Sequence, residues 1–385
     1  MSKLESDQTE INGDPLWGFL SADAQNTMIG SLGSEYFELE LKAKSTGDLL
    51  KTKRLREIFD KSIILDLPSN LTMPQIRKLW TIYGLLSSAY LFSIHDEERK
   101  ILPKSLAVPL YNLSQVLRVP PILNYDGYIL NNFRVLPGSI NNPQDPTSYE
   151  PLFTFSSTSD DEHCGEKWFV QIHVAIERTL GPIVYKFGKM QNLSTENFKY
   201  SEIAPFLEEL SNGISEITAI LSRMPENLSP TIFASSTHRY FSAFNGVIFE
   251  GVPDLHEKPQ YLRGASAGQS PSFPVLEAFL GIENSYHYTN DTKAYIYQPH
   301  RLYIEKLRDG KSLKLVLQKH EELTILYNNI VTKFANFRKV HLNMARMYLT
   351  KYLNETGKGD STFKDDLAPS ITNTHNSFNT TELVC

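Results

Sequence analysis

The sequence predicts an all-α protein. Apolar residues recur at spacings of three and four through most long segments, strand-like alternation with hairpin dipeptides is scarce, and Pro and Gly punctuate the helical runs, as in ILPKSLAVPL and RVPPILNYDG. In order, the helical runs are 49–62, 75–93, 107–117, 165–191, 201–223, 229–244, 270–281, 299–308 and 313–353. The run 270–281 has its own start signals, Ser270 as cap and Pro271 at the first helical position. The stretch 136–164 concentrates Pro, Ser, Asn and Asp and is the best boundary, which divides the chain into a smaller N-terminal domain, 1–145, and a larger one, 146–365. The tail 366–385 has few apolar residues and is expected to be disordered.

Length and composition narrow the function. The 385 residues are 41% hydrophobic and 21% charged, the balance of a soluble globular protein. A net charge of -6 with no basic block argues against nucleic acid as a partner. The polar start carries no signal sequence and no stretch is apolar enough to span a membrane, so a cytoplasmic protein is expected; a monomer is the expected state. With only Cys164 and Cys385 there is no disulfide framework and no cysteine metal site. GxxxxGK[ST], GxGxxG after a strand, HExxH and GxSxG are all missing. Any metal chemistry must rest on His, Asp, Glu or a prosthetic group.

Two of the ten histidines lie on apolar helical stripes. His341 shares one with Phe334, Phe337, Met344 and Tyr348, and His173 shares another with Phe169, Ile172 and Ile176. Both are expected to be buried. A single buried histidine is ordinarily packing, bonded to a backbone carbonyl. Two in separate long helices also fit a heme arrangement, one axial to the iron and one in the distal pocket. Between them in sequence, the small residues 264–268 of RGASAGQS give a backbone that a flat ligand can approach closely.

Several blocks in order resemble the indoleamine and tryptophan 2,3-dioxygenase family. ILPKSLAVPLYNLSQVLRVPPILNYDGYILNNF at 101–133 is similar to the family's LP, helix, PPIL and tyrosine segment. EKWFVQIHVAIE resembles the helix that opens the large domain, and RGASAGQS with LEAFLGI resembles the signature GGSAGQSS with FDVLLGI. YQPHRLYIEKL is similar to MPxxHRxFL, and FRKVHLNMARMYLTKYL to RxxHxxIVTKYI, which supplies the proximal histidine. Together the blocks cover roughly residues 50–363.

The resemblance implies a two-domain helical fold with heme b between helices of the large domain, dioxygen as co-substrate and an indole as substrate. It implies His341 as the iron ligand, Arg338 near a heme propionate, and Glu277 where an aspartate pairs with that arginine. Tyr125, Phe169 and Phe233 match distal aromatic residues, and Ser266, Ala267 and Gly268 match the small distal loop beside both cofactor and substrate. Phe233 and His173 are the expected catalytic residues, with His173 where most indoleamine-type members have serine and the tryptophan dioxygenases have histidine. It could accept the indole N–H.

Two departures bear on the substrate. Five residues after Phe233 the family has an arginine that clamps a carboxylate, and this chain has His238 there with Arg239 next. One residue is about 100° of helix, so Arg239 replaces the clamp only if the register shifts or the turn unwinds. Gly357–Thr362, GKGDST, stands for the family's GTGGT loop, with Ser361 as its substrate-contacting residue; a C-cap glycine followed by a tail is the other reading. The expected activity is cleavage of the indole C2–C3 bond, L-tryptophan to N-formylkynurenine, with another indole substrate or a non-catalytic heme sensor or carrier as alternatives.

Overall fold

A computed structural model describes residues 15–93, 97, 99–195, 198–282, 290–310, 313–317 and 319–356. The GKGDST stretch with Ser361 and the 366–385 tail lie outside the described residues. The chain is built of α1 (Ser34–Lys44), α2 (Thr46–Lys51), α3 (Leu55–Lys61), α4 (Met73–Leu91), α5 (Lys104–Leu117), α6 (Glu162–Thr195), α7 (Tyr200–Ser222), α8 (Pro230–Ile232), α9 (Ser272–Leu280), α10 (Asn290–Lys293), α11 (Gln298–Asp309), α12 (Leu313–Leu317) and α13 (Glu321–Thr356). Short strands β1 (Ile101–Leu102), β2 (Phe133–Val135), β3 (Tyr149–Pro151), β4 (Phe244–Phe249) and β5 (Gln260–Leu262) fill the connections. The all-α expectation holds, and one hydrophobic core runs from Phe19 to Tyr348.

In the first part α4 is the central helix. Thr72 and Gln75 close its first turn reciprocally, and everything from Arg77 to Leu91 is buried. Two cations in that run need partners, because an unpaired buried charge is costly. Arg77 meets Asp126 at 2.6 Å, and Lys78 meets Glu40 of α1 at 3.3 Å. In the second part the long helices α6, α7 and α13 pack side by side, and α9 lies against α6 and α11.

Several local features differ from the sequence reading, among them the run 313–353, which is two helices, α12 and α13. The run 49–62 is two helices, broken where Lys53 turns left-handed at φ 58. The run 229–244 is helical only to Phe241, and its last residues enter β4, which pairs antiparallel with β5 and parallel with β1. Phe244, Val247 and Phe249 are the buried residues of that strand. The stretch 136–164 is tied down: β2 pairs with β3, and buried Glu166 accepts from Tyr128 Oη, Phe155 N and Ser156 N at 2.6 to 2.7 Å.

Candidate active site

Phe169, His173 and Glu177 follow one another at four-residue steps along α6, so the helix presents them as one stripe. His173 is buried, and its Nδ1 lies 2.8 Å from the carbonyl oxygen of Phe169, one turn back. A carbonyl only accepts, so Nδ1 carries the proton and Nε2 keeps its lone pair. Burial lowers the imidazole to about 4, which keeps it neutral at physiological pH. The ring packs against Phe169 at 4.3 Å between centroids and meets Tyr125 edge-on at 6.1 Å.

Two π-helical turns shape the rest of the cluster. Tyr125 stands at the head of one, Asp126–Leu130, and Phe233 opens the other, Phe233–Thr237. A π-turn bonds residue i to i+5 and re-aims the side chains after it. The N–H of His238 duly donates to the carbonyl of Phe233, and the two rings lie 5.4 Å apart. Phe233 also contacts Phe169 at 5.2 Å, and Phe241 contacts Phe169 at 5.7 Å. Tyr125, Phe169, His173, Phe233 and His238 thus form one continuous aromatic cluster.

Arg239 does not join it. The register shift that would have been needed does occur, but it serves His238, and Arg239 donates through Nε to the carbonyl of Phe92 at 2.7 Å. Arg239 was expected beside the substrate; the structure engages its Nε at the end of α4. His238 is no substitute cation, because burial lowers it to about 4.

The loop 264–268 sits beside Tyr125. Gln269 accepts from the N–H of Tyr125 at 3.0 Å and donates to the carbonyl of Gly264 at 2.8 Å. Ser266 accepts from the N–H of Gly268 at 3.2 Å and heads a short turn over Ala267–Gln269. Gly264 is obligatory for close approach, since a Cβ there would lie 1.7 Å from the carbonyl oxygen of Phe241.

On α13, Phe334 and Phe337 are buried as the stripe predicts, and Arg338 beside them is buried too, whereas His341 is only half-buried and stacked near-parallel to Phe337 at 6.3 Å. The expectation of full burial is corrected here. His341 and Met344, three residues apart on this helix, are both half-buried. One turn back, Arg338 pairs with Glu277 of α9, with its guanidinium 4.4 Å over the Phe334 ring. Burial lowers that guanidinium to about 9, which leaves it charged at neutral pH. Arg308 stands 3.9 Å from the other oxygen of Glu277. Phe233 reaches α13 through Tyr348, whose ring is 5.5 Å away.

The chain matches the family described as Indoleamine 2,3-dioxygenase over residues 12–381. It belongs to the indoleamine 2,3-dioxygenase family. It is 26% identical to indoleamine 2,3-dioxygenase 1 of Mus musculus over 340 residues, 83% of this chain and 80% of that protein. It is also 26% identical to a protein named myoglobin from Haliotis madaka, over 92% of this chain and 93% of that one. A 6-hydroxytryptophan 2,3-dioxygenase of Fusarium equiseti is 25% identical over 89% of this chain and 85% of its own. Dioxygenases of this family are oxidoreductases, and their members are heme-dependent.

The side chains of this family member fit a heme. Among the described residues no three His, Cys, Asp or Glu assemble to chelate a bare ion. A heme brings four equatorial nitrogens and asks the protein for one imidazole, which the half-buried His341 can give. A buried arginine one turn away suits an anionic propionate. Sequence reasoning missed Glu177, Phe241 and Gln269. Glu177 had a signal, a carboxylate four residues beyond His173 on the same stripe, whereas the contact of Phe241 depends on the π-turn before it.

Proposed function

We propose that the protein is a heme-dependent dioxygenase that opens the C2–C3 bond of an indole, with L-tryptophan to N-formylkynurenine the first conversion to test. The observation that carries this reading is the Nδ1 hydrogen bond of His173, which presents Nε2 as an acceptor inside an aromatic cluster. An indole is a flat apolar ring with one N–H donor, and the cluster offers flat walls from Tyr125, Phe169 and Phe233 with one acceptor. His341 would hold heme b, Arg338 would face a propionate, and Ser266, Ala267 and Gly268 would let the ring approach the backbone. Bound there, a heme would supply ferrous iron for dioxygen chemistry, and the product expected is a ring-opened formamide that holds both oxygen atoms. The protein's own part is to orient the indole, hold its N–H at Nε2 of His173 and keep water away.

Absorption spectra of the reduced protein with and without indoles test the reading. A Soret band that shifts on adding L-tryptophan, tryptamine or indole supports it, and loss of the band in His341→Ala supports the axial assignment. No Soret band after adding hemin sinks it. A band with no indole consumption would favour a heme carrier, the direction in which the relative named myoglobin points.

A second reading, an indole without the amino-acid carboxylate, is favoured by neutral His238 and by the engagement of Arg239 with Phe92. Introducing a bidentate carboxylate partner with His238→Arg should improve kcat/KM for L-tryptophan relative to tryptamine about 10-fold or more. An unchanged ratio would remove this account of substrate choice.

A further inference from the structure

Glu177 is a buried carboxylate that the proposed chemistry does not use. It is 1% exposed, sits one turn beyond His173 on α6, and no cation pairs with it among the described residues. Instead three hydroxyls converge on it. Tyr125 Oη donates to Oε1 at 2.9 Å, Ser270 Oγ to the same oxygen at 2.6 Å, and Ser272 Oγ to Oε2 at 2.5 Å. Burying such a group has a cost that a merely apolar seam between α6 and α9 would avoid.

The partners are not scattered. Ser272 is the first residue of α9 and Ser270 lies two residues before it, not at the cap position expected from the sequence, which Pro271 takes; Tyr125 is the aromatic residue that meets His173 edge-on. A tyrosine hydroxyl buried here has to find a partner. Because Glu177 takes it, the hydroxyl is drawn into the α6–α9 seam and the ring is left to face His173. The same α9 carries Glu277, which pairs with Arg338 on α13 one turn before His341. Two buried carboxylates therefore hold α9 to both histidine-bearing helices.

We propose that Glu177 is a positioning residue of the indole site: by gathering the hydroxyls of Tyr125, Ser270 and Ser272 at the α6–α9 seam, it fixes the Tyr125 ring against His173. The inference rests on the reading that Tyr125 and His173 face the indole. A leucine at 177 removes every acceptor and releases the hydroxyl of Tyr125. Glutamine keeps the volume and one acceptor oxygen, and its amide N–H can donate to Ser272 Oγ instead.

The test uses the heme-loaded full chain in its ferrous carbon monoxide form, with histidine-selective isotope labelling, and equilibrium titration with indole itself. Ring currents make the His173 ring resonances a direct report of where Tyr125 lies. Glu177→Leu should displace those resonances and weaken indole binding about 10-fold, while Glu177→Gln restores both to near the parent values. Tyr125→Phe combined with Glu177→Leu should weaken binding no further than Glu177→Leu alone, because both act on one contact. Unmoved His173 resonances in Glu177→Leu overturn the positioning role, and so do additive losses in the double variant. Displaced resonances in a protein that binds no indole leave the positioning role standing and overturn the indole reading.

Discussion

At the scale of single residues, the acceptor on His173 is set by backbone geometry, since the carbonyl of Phe169 four residues earlier claims the Nδ1 proton. Its protonation is set by burial, which holds it neutral down to about 4. Turnover of an indole should therefore be flat from neutral pH down to about pH 5 and fall below that, as Nε2 gains a proton and stops accepting. A pH profile of kcat/KM with an uncharged indole measures this, and a decline centred near the ordinary histidine value would contradict it. Stability follows the same groups. His173 and His238 each have a folded value near 4 against 6.5 unfolded, so the unfolded chain takes up protons first. The stability they contribute is complete above pH 6.5 and is lost as pH falls from there toward 4. Urea midpoints across that window should decline, and less so in His238→Phe.

At the scale of elements, α9 joins the two histidine helices, and its Glu277–Arg338 pair is fully buried. Removing Arg338 leaves buried Glu277 only the more distant Arg308 at 3.9 Å, so Arg338→Leu should cost about 3 kcal/mol in the unfolding of heme-free protein. Adding Glu277→Leu to that variant should recover most of the loss, and a double variant as unstable as the single would refute the pairing account. The buried Phe334 and Phe337 that lead to His341 were legible in the sequence, because an α-helix fixes which residues share a face, whereas Arg338 and Glu277 were expected only from the family resemblance. What was not legible depends on departures from that period. The π-turn at 233–237 carried His238 to Phe233 and sent Arg239 to Phe92, and nothing in FASST announces a bond from residue i to i+5. Helix α1 escaped for the opposite reason, since SEYFELELKAK mixes charge into both faces and finds its apolar partners only in the folded core. Strand β4 is six residues long with Asn245 and Gly246 inside it, too short and too interrupted to show a clear alternation.

At the scale of the molecule, the two parts read from the sequence are bound together at several points. β1 pairs with β4, Tyr125 with Gln269, Asn124 with the carbonyl of Tyr295, and Arg239 with the carbonyl of Phe92. With one hydrophobic core running through both, chemical unfolding should be a single transition in which tryptophan fluorescence and far-ultraviolet circular dichroism coincide. Two separated transitions would show that the smaller part folds on its own. This joining also bears on function, because Tyr125 comes from the first part while Phe169, His173 and Phe233 come from the second. Among the described residues no helix is long and apolar enough to cross a membrane.

The central claim is that the aromatic cluster and its one acceptor serve the opening of an indole ring by dioxygen. It is tested most directly by giving the ferrous, heme-loaded protein isotopically labelled dioxygen with L-tryptophan, tryptamine and indole in turn, and weighing the products. The account predicts a ring-opened formamide that carries both labelled oxygen atoms from at least one of the three. Heme-bound protein that leaves all three indoles intact would contradict it.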